Sequence, residues 1–141
     1  MAFYINTGAV KEPLVDNLDR TFGYAVYVPG DFGIIERYEK GKPIVKEMEN
    51  AFKEVAEEVT PDNVLEMIEK PCQYLKKFCD FVFGNGFYEG AFCAINPFVY
   101  PPESDKPVCI LVIEGIVEDI KQRQEKQKEK ESKYLSGYKN A

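Results

Sequence analysis

The sequence predicts an α+β, mostly helical protein: a small N-terminal β-sheet or hairpin, then a helical bundle with a long C-terminal helix. Three observations carry this. Residues 22–28 alternate in the manner of a strand. Apolar residues then recur at helical spacing in several stretches. From Lys121 to Lys133 nearly every residue is Lys, Gln, Glu or Arg, a composition with strong helix propensity.

In order along the chain, Phe3, Tyr4 and Ile5 form a short apolar run before the turn cluster Asn6-Thr7-Gly8. Phe22, Tyr24, Val26 and Val28 alternate with Gly23, Ala25 and Tyr27, the period of a half-buried strand that ends at Pro29-Gly30. A sheet of two or three strands needs the helices, or another chain, to cover it. Asp31 is a suitable helix N-cap. Phe32, Ile35 and Tyr38 mark a short helix to about Lys40, with Gly41 as its break and Pro43 in the first turn of the next helix. There Ile44, Met48, Phe52, Val55 and Val59 form an apolar stripe. Thr60-Pro61-Asp62 reads as a further helix start. Val64, Leu65, Ile68, Cys72, Leu75, Phe78, Cys79 and Val82 supply the stripe that follows, with a kink or break expected at Pro71 and an end at Gly84. Phe87 to Phe92 reads as a short helix. The proline-rich stretch 96–107 reads as a loop, with Ser104 or Asp105 capping the last helix. Val108, Leu111, Val112, Ile116 and Ile120 are its expected buried face. No boundary or repeat divides the chain. Residues 1–141 fit one domain, made of a β-rich segment 1–30, a helical core 31–120 and a charged helical tail 121–141.

Charge and composition narrow the function classes. The chain has a net charge of −6, divided as −10 over residues 1–120 and +4 over residues 121–141. An acidic body repels phosphate backbones, so no nucleic acid is expected as partner. No apolar run reaches the length of a membrane span, and Met1 to Ile5 lacks the basic start and apolar core of a signal peptide, so no membrane is expected either. The four cysteines, Cys72, Cys79, Cys93 and Cys109, are then expected reduced and packed in the core. They have no CxxC spacing, and no histidine is present to complete a zinc site.

Chemistry finds little to stand on. There is no histidine, no nucleophile elbow, no P-loop and no HExxH. Gly84-Asn85-Gly86 with Gly90 follows a helix and lacks a phosphate-reaching lysine, so it reads as a helix stop. The carboxylates of Glu57, Glu58, Asp62, Glu66 and Glu69 read as solvated helix surface. No enzyme activity and no cofactor or metal are expected. The aromatics are numerous, with nine Tyr and ten Phe. Those from Tyr74 to Tyr100 are too many for one small core, and Phe78 and Phe81 fall on adjoining helix faces, so one of them is expected to point outward. Aromatic side chains dominate protein interfaces. The candidate protein-binding residues are Phe81, Phe83, Phe87, Tyr88, Phe92, Tyr134, Leu135 and Tyr138.

The run Glu69-Lys-Pro-Cys72-Gln-Tyr-Leu-Lys-Lys-Phe78-Cys-Asp80-Phe-Val-Phe83-Gly84-Asn-Gly86 resembles a pattern of the tail assembly chaperones of long-tailed, siphovirus-type bacteriophages: a helix ending in an aromatic and acidic stretch, then FG-x-G and a short segment with another Phe. Phe87 to Cys93 supplies that segment, and Val108 to Ile120 resembles the final helix. Val28-Pro29-Gly30-Asp31 with Ile35-Glu36-Arg37-Tyr38 resembles the strand-to-helix transition. The resemblance covers about Val28 to Ile120. Pro71 and the proline-rich insertion depart from it. It implies a non-enzymatic protein of the infected cell's cytoplasm, absent from the mature virion. Such a protein binds the tape measure protein, helps recruit tail tube subunits, and forms a homo-oligomer. The alternative is a phage or mobile-element protein that binds a host factor, as an inhibitor or trigger of defence. For self-association, the Lys121–Lys133 helix lacks an apolar seam, which favours strand pairing or aromatic contacts.

Overall fold

The computed structural model describes residues 1–139, with side chains through Gly137. Its elements run β1 (Val10–Val15), β2 (Thr21–Tyr27), α1 (Gly33–Glu58), α2 (Val64–Phe83), α3 (Phe87–Ala91) and α4 (Val108–Lys139). The predicted class is therefore observed: an N-terminal hairpin, then helices, the last of them long.

β1 and β2 pair antiparallel from Val10 opposite Tyr27 to Val15 opposite Thr21. Between them, Asp16 accepts the Leu18 and Arg20 amides and the Arg20 side chain, which closes the turn. Phe3, Tyr4 and Ile5 form no strand and stand exposed. Within β2 the inward face is Gly23, Ala25 and Tyr27, while Tyr24 and Val26 face out. Backbone approach explains this orientation. A β-carbon on Gly23 would lie 2.0 Å from the Ala91 carbonyl oxygen, so α3 lies directly on the strand there and leaves no room for a side chain at that position.

Helix α1 is continuous where a break was expected. Gly41 is buried in its middle, and a β-carbon there would meet the Phe78 ring at 2.7 Å. Gly41 is thus a close-packing position against α2 and not a stop. Pro43 also stays inside the helix. Proline in a helix interior forfeits a hydrogen bond and costs about 3 kcal/mol, which the extensive packing of α1 on α2 offsets. The same holds for Pro71, which is buried within an unbroken α2 and faces Phe52, Val55 and Ile68. Asn63, and not Thr60, occupies the N-cap of α2, its side-chain oxygen accepting the Thr60 amide. Gly84 ends α2 with φ 121°, a conformation suited to glycine. Arg37 ties the first turns of α1 to the end of α2. Its Nε donates to the Val82 carbonyl at 3.0 Å, and its Nη2 pairs with Asp31 at 2.7 Å. The N-cap of α1 is Phe32 and not Asp31, which lies one residue earlier and accepts the Gly33 amide.

Neither Ser104 nor Asp105 caps α4. The Val108 and Cys109 amides donate instead to the Val99 and Pro97 carbonyls, so the proline-rich loop itself satisfies the helix start. The buried face of α4 is Cys109, Ile113, Ile116, Val117 and Ile120, while Leu111 is exposed and Val108 and Val112 are half-buried. The six consecutive apolar residues from Val108 to Ile113 have no single sided pattern, so contacts with the rest of the core decide the rotation. Beyond Ile120, α4 continues with almost every residue exposed. Among the described residues no helix is long and apolar enough to cross a membrane.

Candidate functional site

The aromatics singled out in the sequence divide by burial. Phe83, Phe87 and Phe92 are core residues, with Phe83 and Phe87 stacked at 4.3 Å between ring centroids. They hold α3 against α2 and offer no surface to a partner, which corrects their assignment to a binding face. The reason is the Gly84-Asn85-Gly86 turn, which folds α3 back onto α2 and β2. Tyr88 is half-buried, tilted against Phe92 at 5.8 Å. Its amide donates to Asp80, and Lys76 pairs with both Asp80 and Glu89, so this corner is closed by polar contacts. Phe81 points outward at 45% exposure while Phe78 is buried, as helical geometry requires. Tyr134 and Leu135 are exposed on the tail of α4. Tyr138 lies outside the residues whose side chains are described.

The surface that the sequence did not reveal is a groove between α1 and α4. Its first half encloses about 610 Å³, lined by Tyr38, Pro43, Val45, Phe78, Ile110 and Ile113. Its second half encloses about 440 Å³, lined by Met48, Phe52, Ala56, Phe98, Tyr100 and Ile110. The halves share Glu49, Ile110 and Glu114 and so form one trough. Along α1 it extends from Tyr38 to Ala56, about 27 Å at the helical rise. Phe98 stacks on Phe52 at 5.1 Å and Tyr100 leans on it at 6.2 Å, so the proline-rich loop builds one wall. Tyr38 meets Phe78 edge-on at 6.1 Å at the other end. The rim carries both signs: Lys42, Lys46 and Lys53 with Glu49, Asp105 and the Lys106–Glu114 pair. Phe52 and Phe98 are far apart in sequence, so spacing alone shows no pairing. The only signal was the surplus of aromatics between Tyr74 and Tyr100.

A second apolar hollow, of about 720 Å³, lies between β1, the proline-rich loop and α4, with Leu14, Phe22, Ile95, Val99, Val108 and Leu111 on its walls.

The thiols are placed for packing. Burial pushes Cys109 up to about 12 and Cys79 well above its usual range. Burial also raises Cys72, an effect the neighbouring Tyr88 hydroxyl partly opposes. Protonated, these thiols are poor nucleophiles and poor metal ligands. Cys93 is exposed, contrary to the expectation that all four are core. Among the described residues no group of three or more cysteine or carboxylate side chains is arranged to hold a metal ion.

Compared with known protein families, curated proteins and solved structures, the chain gives no match.

Proposed function

We propose that this protein is a tail assembly chaperone of long-tailed bacteriophages. It acts by binding, without catalysis, in the cytoplasm of the infected bacterium. In this reading it holds helices of the tape measure protein soluble, helps recruit tail tube subunits, and leaves before the virion is complete. The observation that carries the reading is the α1–α4 trough. Its length suits about five turns of helix, its floor is aromatic and aliphatic, and its rim bears both charges. An amphipathic helix laid in such a trough buries its apolar face and meets ionic partners at both edges. The sequence resemblance over Val28 to Ile120 supplies the identity of that helix.

The test is coexpression of the full chain with a tape measure fragment from the same genome, followed by affinity capture. The reading expects a soluble complex that Phe52→Ser, at the trough's centre, weakens. Failure of the two chains to associate counts against it. A gene position between those for tail tube and tape measure favours it over a host-factor binder.

A further inference from the structure

The hairpin leaves one edge of β1 open, and the chain before it carries an apolar run that packs on nothing. Among the described residues β1 pairs with β2 alone. Phe3, Tyr4 and Ile5 are 84%, 95% and 77% exposed, and only a short turn separates them from Val10. A two-stranded hairpin is marginal by itself and gains from a further strand.

The parity of the ladder decides which groups the open edge offers. Pro13 has no N–H, so its pair with Tyr24 is a non-hydrogen-bonded one. Val10, Glu12 and Leu14 therefore bond to β2. Ala9, just before the strand, with Lys11 and Pro13, turns its backbone groups to the open edge. Pro13 lacks a donor there, so a further strand finds full partners only as far as Lys11.

Asn6-Thr7-Gly8 is the loop that brings such a strand in. A three-residue hairpin loop is a type I turn followed by a residue in the left-handed region. Gly8 has φ 78°, and a β-carbon there would meet nothing within 4 Å, so backbone conformation and not crowding calls for glycine. A loop of this length sets Ile5 opposite Ala9, Tyr4 opposite Val10 and Phe3 opposite Lys11. Ile5 and Phe3 then fall on the two positions whose backbone groups are open. Phe3 comes to lie beside Lys11 and Val26 on the outer face of the sheet, and Tyr4 beside half-buried Val10 on the inner face. In the structure the Gly8 amide donates to the Asn6 side-chain oxygen at 2.9 Å, a local bond that holds the loop without closing it.

We propose that Phe3-Tyr4-Ile5 is a strap that closes on the edge of β1 as a third, antiparallel strand of the same chain, and that the structure describes its open form. Closure moves the Gly8 amide from the Asn6 side chain to the Ile5 carbonyl. The Ile5 amide donates to the Ala9 carbonyl, and Phe3 and Lys11 exchange two hydrogen bonds. The closed strap covers the hairpin edge. Opening frees that edge together with three apolar side chains. The strap uses no residue of the trough, so it stands or fails apart from the tape measure reading.

The test is amide hydrogen exchange of the full chain, read residue by residue by NMR. The Lys11 amide points away from β2, so only closure protects it. It should exchange at least about tenfold more slowly in the wild type than in Ile5→Pro, which removes a ladder donor, or in Gly8→Val, which strains the loop. Tyr4→Pro is the control. The Tyr4 amide points away from β1 in the closed strap, so this variant keeps the Lys11 protection. A nuclear Overhauser contact between the α-protons of Tyr4 and Val10 should appear in the wild type, since the two face each other in a non-hydrogen-bonded pair. Amides of α2 exchange alike in all four proteins, which shows that the rest of the fold is intact. A Lys11 amide that exchanges as fast in the wild type as in Ile5→Pro overturns the proposal. So does a loss of protection in Tyr4→Pro equal to that in Ile5→Pro. Protection that grows with protein concentration also overturns it, because the strand then comes from another copy.

Discussion

Substituting Gly41 by alanine tests whether α1 is continuous for the reason given. In an ordinary helix interior, alanine is better than glycine by about 1 kcal/mol. At Gly41 the added methyl would sit 2.7 Å and 2.9 Å from two ring carbons of Phe78, against a preferred carbon–carbon separation of about 3.5–4.0 Å. Phe78 is buried and held edge-on by Tyr38, so its ring has no free space to enter. Overpacking of this kind costs about 1–3 kcal/mol, which cancels or reverses the helical gain. Gly115 is the control. It lies in α4, is exposed, and a β-carbon there would meet nothing within 4 Å. Gly115→Ala should gain most of the propensity term. The two variants should differ by about 2 kcal/mol, or about 6 °C in melting temperature for a chain of this length. Thermal melts followed by far-ultraviolet circular dichroism measure this directly. An equal rise in both variants would refute the close contact between Gly41 and Phe78.

Three other outcomes follow from the same structure. Phe52→Ala and Phe98→Ala should each lower stability by about 1–3 kcal/mol in denaturant titrations, with the double variant less than additive, because the two rings stack on each other. A thiol reagent should modify Cys93 quickly in the folded protein and reach Cys79 and Cys109 only on unfolding, and Cys93→Ser should remove the fast phase. Stability should be nearly flat between about pH 5 and 8, since no histidine titrates there. Below the usual carboxylate value of 4.5 it should decline. Lys76 holds Glu89 down, and Lys40 and Lys42 do the same for Glu36 and Glu39, so the unfolded chain takes up protons first. Above 9.0 it should decline again, because the unfolded thiols ionise while burial keeps Cys109 protonated up to about 12. Equilibrium unfolding across pH checks both limbs. A stability that climbs through pH 9–11 would contradict the buried placement of the thiols.

Local patterns carried the outline of the fold, and tertiary contacts decided what they left open. The strand at residues 21–27, the stop at Gly84, the short helix after it and the charged extension of α4 are each determined within a few residues of chain. Gly41, Pro43 and Pro71 look like interruptions because their local cost is visible and the packing that offsets it is not. In β2 the alternation alone leaves the core face open, and Gly23, Ala25 and Tyr27 occupy it because α3 arrives from far along the sequence and rests on Gly23. The aromatic surplus was legible, but not its division. Phe83, Phe87 and Phe92 are drawn inward by a turn at Gly84–Gly86. Phe52, Phe98 and Tyr100 come together only once α1 and the proline-rich loop are side by side. A surface made by two distant segments leaves no spacing for the sequence to show.

The most direct measurement of the proposed function is the solubility of a tape measure fragment made with and without this protein in the same cells. The trough reading predicts that the fragment moves from the pellet into a soluble complex without added ATP, and that Phe52→Ser in this protein returns it to the pellet. A fragment that remains insoluble beside well-folded, abundant wild-type protein, with no copurification, would contradict it.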